Sequence, residues 1–381
     1  MLASAPSDSA RLSYARFMPL DSVLLLLGAA AVPLTLLWDL AWESTIGVDR
    51  FFGPPHAANY LAVVLAGGAS LHMAVRATRR GVEGVPLGRV RAPLGAWLAL
   101  WGALAFVAAL LFDRWWQSSY GLAAGIWNPP QIAKTVAYFA LALGAWVALA
   151  GEQRDTRGAL AAALAAGVVL AMISVVTSAQ SFANRQHSAL FFALGCATYP
   201  VPLAAQSLAG RLRAPATTAA LAYMALVAAM VWLLPLFPAS PQAGPVYNPL
   251  DHLLAPPFPL LLPIPALALD ALLRWFAARD RRGGRWAAAL EAGLAFAPLF
   301  IAAQWLFSEF LLSPASDVWL FAGGGRHWPF FLRIDPSART AYWDFLSPGL
   351  DLSSAGVAAL CAVVSTRAGL ALGAALARVT P

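Results

Sequence analysis

The chain has 381 residues, 60% hydrophobic and 11% charged, with a formal net charge of +7 at pH 7. Its apolar residues gather into runs of roughly 18 to 24 separated by short polar segments, which excludes an ordinary soluble domain and marks a polytopic membrane protein. The basic residues follow the turns on one side of these runs, so the positive charge needs no nucleic-acid partner.

The opening stretch, MLASAPSDSARLSYARFMPLDS, has no small-residue cleavage site after a short apolar core, and the run that follows is long enough to span, so it is expected to remain uncleaved. Apolar spans are expected at 19–38, 57–75, 93–112, 131–149, 158–177, 187–209, 215–237, 256–276, 286–308 and 351–376. The expected fold is all-α, one membrane domain over 1–381 with about ten transmembrane helices; the Pro-rich run at 256–268 and the Gly/Ala-rich last span leave nine as the alternative. Arg11 and Arg16, then Arg76, Arg79, Arg80, Arg89 and Arg91, then Arg154 and Arg157, then Arg211 and Arg213, then Arg279, Arg281, Arg282 and Arg285 fall at alternate turns. Retention of basic loops in the cytoplasm then puts both termini inside and the remaining turns outside. Cys196 and Cys361 each sit in an apolar span and suggest neither a disulfide framework nor a thiolate metal site.

At the first outward turn, LWDLAWESTIGVDRFFGPPHAANYL puts Asp39 and Glu43 four residues apart and His56 thirteen further on. On a helix Asp39 and Glu43 share a face, and a chain reversal brings His56 beside them as a three-ligand O,O,N metal site. Two acids on one face repel unless a cation or proton lies between them, although carboxylates at the membrane edge also persist as plain interfacial groups. Asp49 is a candidate acceptor orienting His56. Pro54 and Pro55 suit the first turn of the next helix, where a missing donor costs nothing. His72, sixteen residues on, is about 24 Å away along a helix and belongs to the cytoplasmic interface.

The pattern returns, weakened, at the second outward turn. Phe112-Asp113, Trp116-Gln117, Gly121 and Trp127-Asn128-Pro129-Pro130-Gln131 follow the order of Trp38-Asp39, Trp42-Glu43, Gly47 and Phe52-Gly53-Pro54-Pro55-His56, with one extra residue before the Pro pair. Segments 34–65 and 108–140 thus read as a helix-pair repeat. A shorter echo is Tyr247-Asn248-Pro249 with Asp251-His252. Gln180, Asn184 and His187 mark the third outward turn, where His187 is a candidate fourth ligand, helix cap or substrate contact. The long outward segment 309–350 carries Glu309, Asp317, His327, Asp335 and Asp344 and is expected to close over a site or dock a partner. Asp113, Gln117, Gln131, Asn184, His252 and His327 are the candidate supporting or substrate-region residues.

Oxygen plus imidazole donors suit one zinc, iron, manganese or copper(II) ion and disfavour tightly held copper(I). No Walker motif or dinucleotide fingerprint is present, so no nucleotide or flavin is indicated. Two other classes fit the same features. Duplicated helix pairs and outward carboxylates suit an ion-coupled transporter with Asp251 and His252 in its vestibule, and a noncatalytic scaffold subunit would use the long loop for docking.

The series Asp39, Trp42-Glu43, Val48-Asp49 and Phe52-Gly53-Pro54-Pro55-His56, over about residues 34–65, resembles the metal-binding stretch in the C subunit of the copper membrane monooxygenases, the particulate methane and ammonia enzymes. Glu43 stands where that family has its first ligating His. Asn184 and His187 are three apart where the family has an Asn and a His four apart. The resemblance implies a copper site at Asp39, Glu43 and His56, oxygen activation, a lipophilic or small gaseous substrate reached from the membrane, and association with other integral membrane subunits.

Overall fold

Apolar runs of this length become helices because lipid offers no partner to a backbone N–H or C=O, and a helix satisfies both internally. The computed structural model describes residues 18–47, 50–81, 84–121, 128–242, 251–278, 284–321 and 348–379. Among them nine helical segments are long and apolar enough to cross a bilayer. They are α1 (Leu20–Thr45), α2 (Pro54–Arg79), α3 (Leu94–Tyr120), α4 (Pro129–Ala150), α5 (Thr156–Val176), the pair α6 (Ala189–Thr198) and α7 (Pro200–Ala209), α8 (Pro215–Leu233) with a short 3-10 turn, α10 (Gly284–Leu311) and α11 (Leu352–Val379). Pro200, lacking an N–H, sits where α6 gives way to α7. A small hairpin, β1 (Val85–Leu87) with β2 (Val90–Ala92), fills the turn between α2 and α3 and turns at Gly88, whose φ is +61°.

The expected span at 256–276 is not one continuous helix. Residues 253–261 form neither helix nor strand, and helix α9 covers only Pro263–Ala278. Prolines at 256, 257, 259 and 263 remove four donors and block helix formation. Leu253, Leu254, Leu260 and Leu262 are nevertheless buried, so the remaining N–H groups need partners. Thr45 Oγ1 accepts from Leu254 N at 2.8 Å, Tyr223 Oη from Leu260 N at 3.0 Å and Gln304 Oε1 from Leu261 N at 2.6 Å. Non-helical backbone survives among membrane helices because protein side chains replace the missing water.

Glycines bring the first four helices into backbone contact. A Cβ on Gly28 would meet Ala66 N at 2.7 Å and Ala62 O at 3.0 Å; one on Gly102 would meet Leu141 N at 2.5 Å and Ala137 O at 2.8 Å. The hairpins α1–α2 and α3–α4 therefore cross at matching points of the two aligned segments, through the small-residue contact that membrane helices use. Each first helix ends at a glycine with positive φ, Gly47 at +74° and Gly121 at +84°, and each second helix opens on a Pro pair.

At the arginine-bearing end, Asp21 is buried and its Oδ2 lies 2.9 Å from Arg76 Nε and 3.1 Å from His72 Nδ1. Ser22 Oγ donates to Glu152 Oε1 at 2.7 Å, tying the start of α1 to the turn after α4. Glu152 Oε2 is buried with no hydrogen-bond partner among the described residues. Burial therefore pushes this carboxyl above its usual range, against the lowering effects of Ser22 and Arg76. The native state binds this proton more tightly than the unfolded chain, so stability falls as pH rises from the unfolded carboxyl range through the raised native value. Glu152→Gln should raise the melting temperature at neutral pH, and the gain should vanish below about pH 4, where the carboxyl is protonated in both states. A wild-type melting curve at every pH would refute this account.

Candidate functional site

The far ends of α1–α4 enclose a cavity of about 600 Å³. Its wall includes Asp39 and Glu43 from α1, His56 from α2, Asp113 and Gln117 from α3, and Gln131 and Lys134 from α4. Polar residues of both aligned segments thus face one space. The arginine-bearing turns that follow α2 and α4 lie at the opposite end of the same helices.

His56 is positioned by its helix start. Gly53 precedes the Pro54-Pro55 turn, and Arg50 O lies 2.9 Å from His56 Nδ1. A carbonyl only accepts, so Nδ1 carries the proton. His56 Nε2 then lies 3.2 Å from Asp39 Oδ2, both side chains being about one-fifth exposed. With the imidazole neutral, two acceptors confront each other. That arrangement calls for a cation, either a second proton on the ring or a metal ion. The separation also matches what two donors bound to one first-row ion at roughly 2.1 Å each would span.

Glu43 lines the same cavity, yet among the described residues no group of three or more His, Cys, Asp or Glu side chains lies close enough to hold a metal ion. Of the three expected donors, Asp39 and His56 form a close pair and Glu43 lies on the same cavity wall. Four residues along a helix share a face but advance about 6 Å along the axis, so a shared face does not by itself make a shared ion.

In the second hairpin the pairing changes. Asp113 Oδ2 lies 2.8 Å from Lys134 Nζ and accepts from Gln117 Nε2 at 3.2 Å, while Gln131 occupies the position aligned with His56. Lys134 is the only lysine among the 25 basic residues of the chain. It lies at the end opposite the arginine-bearing turns that follow α2 and α4, on the cavity wall. It aligns with Asn59, which links the halves: Tyr138 Oη donates to Asn59 Oδ1, and Asn59 Nδ2 donates to Thr35 Oγ1 at 2.8 Å. Tyr60, Phe106 and Tyr138 form the aromatic wall between the two carboxylates. Sequence reasoning missed Thr35, Asn59, Tyr60, Lys134 and Tyr138.

No family model, curated protein or solved structure matches the chain.

Other candidate residues lie elsewhere. His187 does not line the cavity; it is 2% exposed, with Nε2 2.8 Å from Glu309 Oε1, Nδ1 2.8 Å from Ser308 Oγ and its ring edge-on to Trp305. Nor does it cap α6, because Ser188 Oγ accepts from Phe191 N there. Asn184 is buried away from the cavity wall, and His252 pairs locally with Asp251 at 2.6 Å. His72 belongs to the Asp21 cluster at the opposite end. Asp49, His327, Asp335, Asp344, Trp127 and Tyr247-Asn248-Pro249 lie outside the described residues, as do Arg11, Arg16, Arg279, Arg281 and Arg282.

Proposed function

We propose that this chain is a metal-binding integral membrane protein, a subunit of an oxygen-activating assembly of the copper membrane monooxygenase kind that acts on a small or lipophilic substrate. The observation that carries this reading is the confrontation of His56 Nε2 with Asp39 Oδ2 at 3.2 Å while Arg50 O fixes the opposite ring nitrogen. Metal-binding histidines are held in this way by a carbonyl on the second nitrogen. The donor chemistry supports it too: Lys134 pairs with Asp113, while Asp39 and Glu43 bring two carboxylates to the cavity beside His56.

In this reading Asp39 and His56 hold the ion, Glu43 supplies the second carboxylate of the wall, and Arg50 O sets the imidazole tautomer. Copper follows from the resemblance around residues 34–65, and the same donors accept zinc, iron or manganese. A bound redox ion would supply oxygen activation there. The apolar helix surfaces around the cavity admit substrate from the bilayer and exclude water. The arginine turns at the other end support an outer-face position for the site in the cell membrane, and further integral subunits would complete the assembly.

One observation favours a second reading, ion-coupled transport: the non-helical 253–261 stretch packed among helices is the kind of interrupted segment that transporters use near their sites.

Metal content by mass spectrometry of gently purified protein decides the proposal. Wild type should carry close to one ion per chain, and Asp39→Ala/His56→Ala should lower occupancy about tenfold or more while remaining monodisperse. His72→Ala, at the other end, should keep its metal. No ion in wild type after reconstitution would overturn the metal reading, and ion-driven uptake into proteoliposomes would then establish the transport one.

A further inference from the structure

The second pole of the cavity holds more hydrogen-bonding capacity than the protein uses. Asp113 is 6% exposed, and its Oδ1 has no hydrogen-bond partner among the described residues. Lys134 spends one N–H on Asp113 Oδ2, and Gln117 spends one amide N–H on the same oxygen. Gln131 N donates to Asn128 Oδ1, and its side chain lines the cavity. These four side chains line the same cavity as the apolar Leu110, Ile132, Val136, Met172 and Val175. Hydrogen-bonding groups set beside apolar side chains in a cavity of this size suit a small-molecule ligand.

The charge at this pole is already settled. Lys134 neutralises Asp113 from within the chain. An anionic ligand would face the carboxylates of the same cavity, and a cationic one is drawn to Asp39 and Glu43 at the other pole rather than to the already paired Asp113. A hydroxyl both donates and accepts, and so can use the Gln117 or Gln131 oxygen together with Lys134 or Gln131 hydrogens. A hydrocarbon would leave all of them unpaired at a cost.

We infer that the Asp113–Lys134 pole binds the hydroxyl of a neutral alcohol whose hydrocarbon tail lies along the apolar wall. The inference rests on the proposed function in treating the cavity as the substrate chamber, but alcohol binding does not require the ion.

Tritiated n-octanol is titrated onto protein in nanodiscs, with empty nanodiscs subtracted. Wild type should bind it saturably at about one per chain, and unlabelled octanol, not octane, should displace it. Asp113→Leu/Lys134→Met, which removes the pole while keeping it neutral, should weaken binding about tenfold or more. Gln131→Leu, which leaves the ion pair intact, should weaken it several-fold, so the test survives poor folding of the double variant. Partitioning without saturation, equal displacement by octane, or wild-type affinity in both variants would overturn the inference. Metal content measured on the same samples separates the two readings: an ion without alcohol binding defeats this inference alone, and alcohol binding without an ion defeats the metal reading alone.

Discussion

Replacing Lys134 with Met should destabilise the protein by about 3–5 kcal/mol, because it strands a buried carboxylate without its counter-ion. Lys134 Nζ and Asp113 Oδ2 are 2.8 Å apart, and their side chains are only 15% and 8% exposed. Gln117 still donates to Asp113 in the variant, but one neutral amide hydrogen bond does not replace an ammonium. Methionine keeps the length and packing of the lysine stem, so the loss reports charge rather than volume. Adding Asp113→Leu removes the stranded charge, and most of the lost stability should return, as when other buried ion pairs are replaced by packed apolar groups. Thermal unfolding of the detergent-solubilised proteins measures the cycle. If the Lys134→Met protein melted with wild type, the pair would not be a buried structural charge and the neutral-pole argument for alcohol binding would lose its footing.

Gly144→Val should cost about 3 kcal/mol or more. Helices α3 and α4 touch backbone to backbone there: a Cβ on Gly144 would come within 3.0 Å of the N, Cα and Cβ of Ala99. None of those atoms is the end of a flexible side chain, so the helices must separate. Since α3 carries Asp113 and Gln117 and α4 carries Gln131 and Lys134, separation also opens the neutral pole of the cavity. The control is Gly68 in α2, where an added Cβ meets nothing within 4 Å. Gly68→Ala should be neutral or stabilise by about 0.5–1 kcal/mol through reduced backbone freedom. Comparable melting losses at both positions would show that helix composition, rather than the α3–α4 crossing, governs stability.

The transmembrane helices were legible because bilayer thickness demands about twenty apolar residues per helix, and the observed bounds extend past the expected runs mainly where Trp and Asp continue a helix beyond the apolar core, as in α1 and α3. The Pro pairs at the starts of α2 and α4 and the acid-bearing ends of α1 and α3 were legible for the same local reason: they depend on helical geometry a few residues away. That both aligned turns line one cavity was not readable, since spacing within each hairpin says nothing of how two hairpins dock. Nor was the choice of partner for Asp113. Gln131 aligns with His56, but the neighbouring helix turn presents Lys134 to Asp113, and an ammonium outcompetes an amide for a buried carboxylate.

Sequence alone determined the all-α membrane class, the approximate position of nine helical spans and the local order of Asp39, Glu43 and His56, because these follow from backbone satisfaction in lipid and from helical period. Only the tertiary structure decided the rest. It left 253–261 non-helical, because Thr45, Tyr223 and Gln304 reach its N–H groups from distant helices. It set His187 against Ser308 and Glu309 of α10 instead of the cavity, and it brought His56 to 3.2 Å from Asp39 while no third acid or imidazole among the described residues joined them. Each of these outcomes is a contest between partners far apart in the chain, settled by which side chain the packing delivers to a buried polar atom.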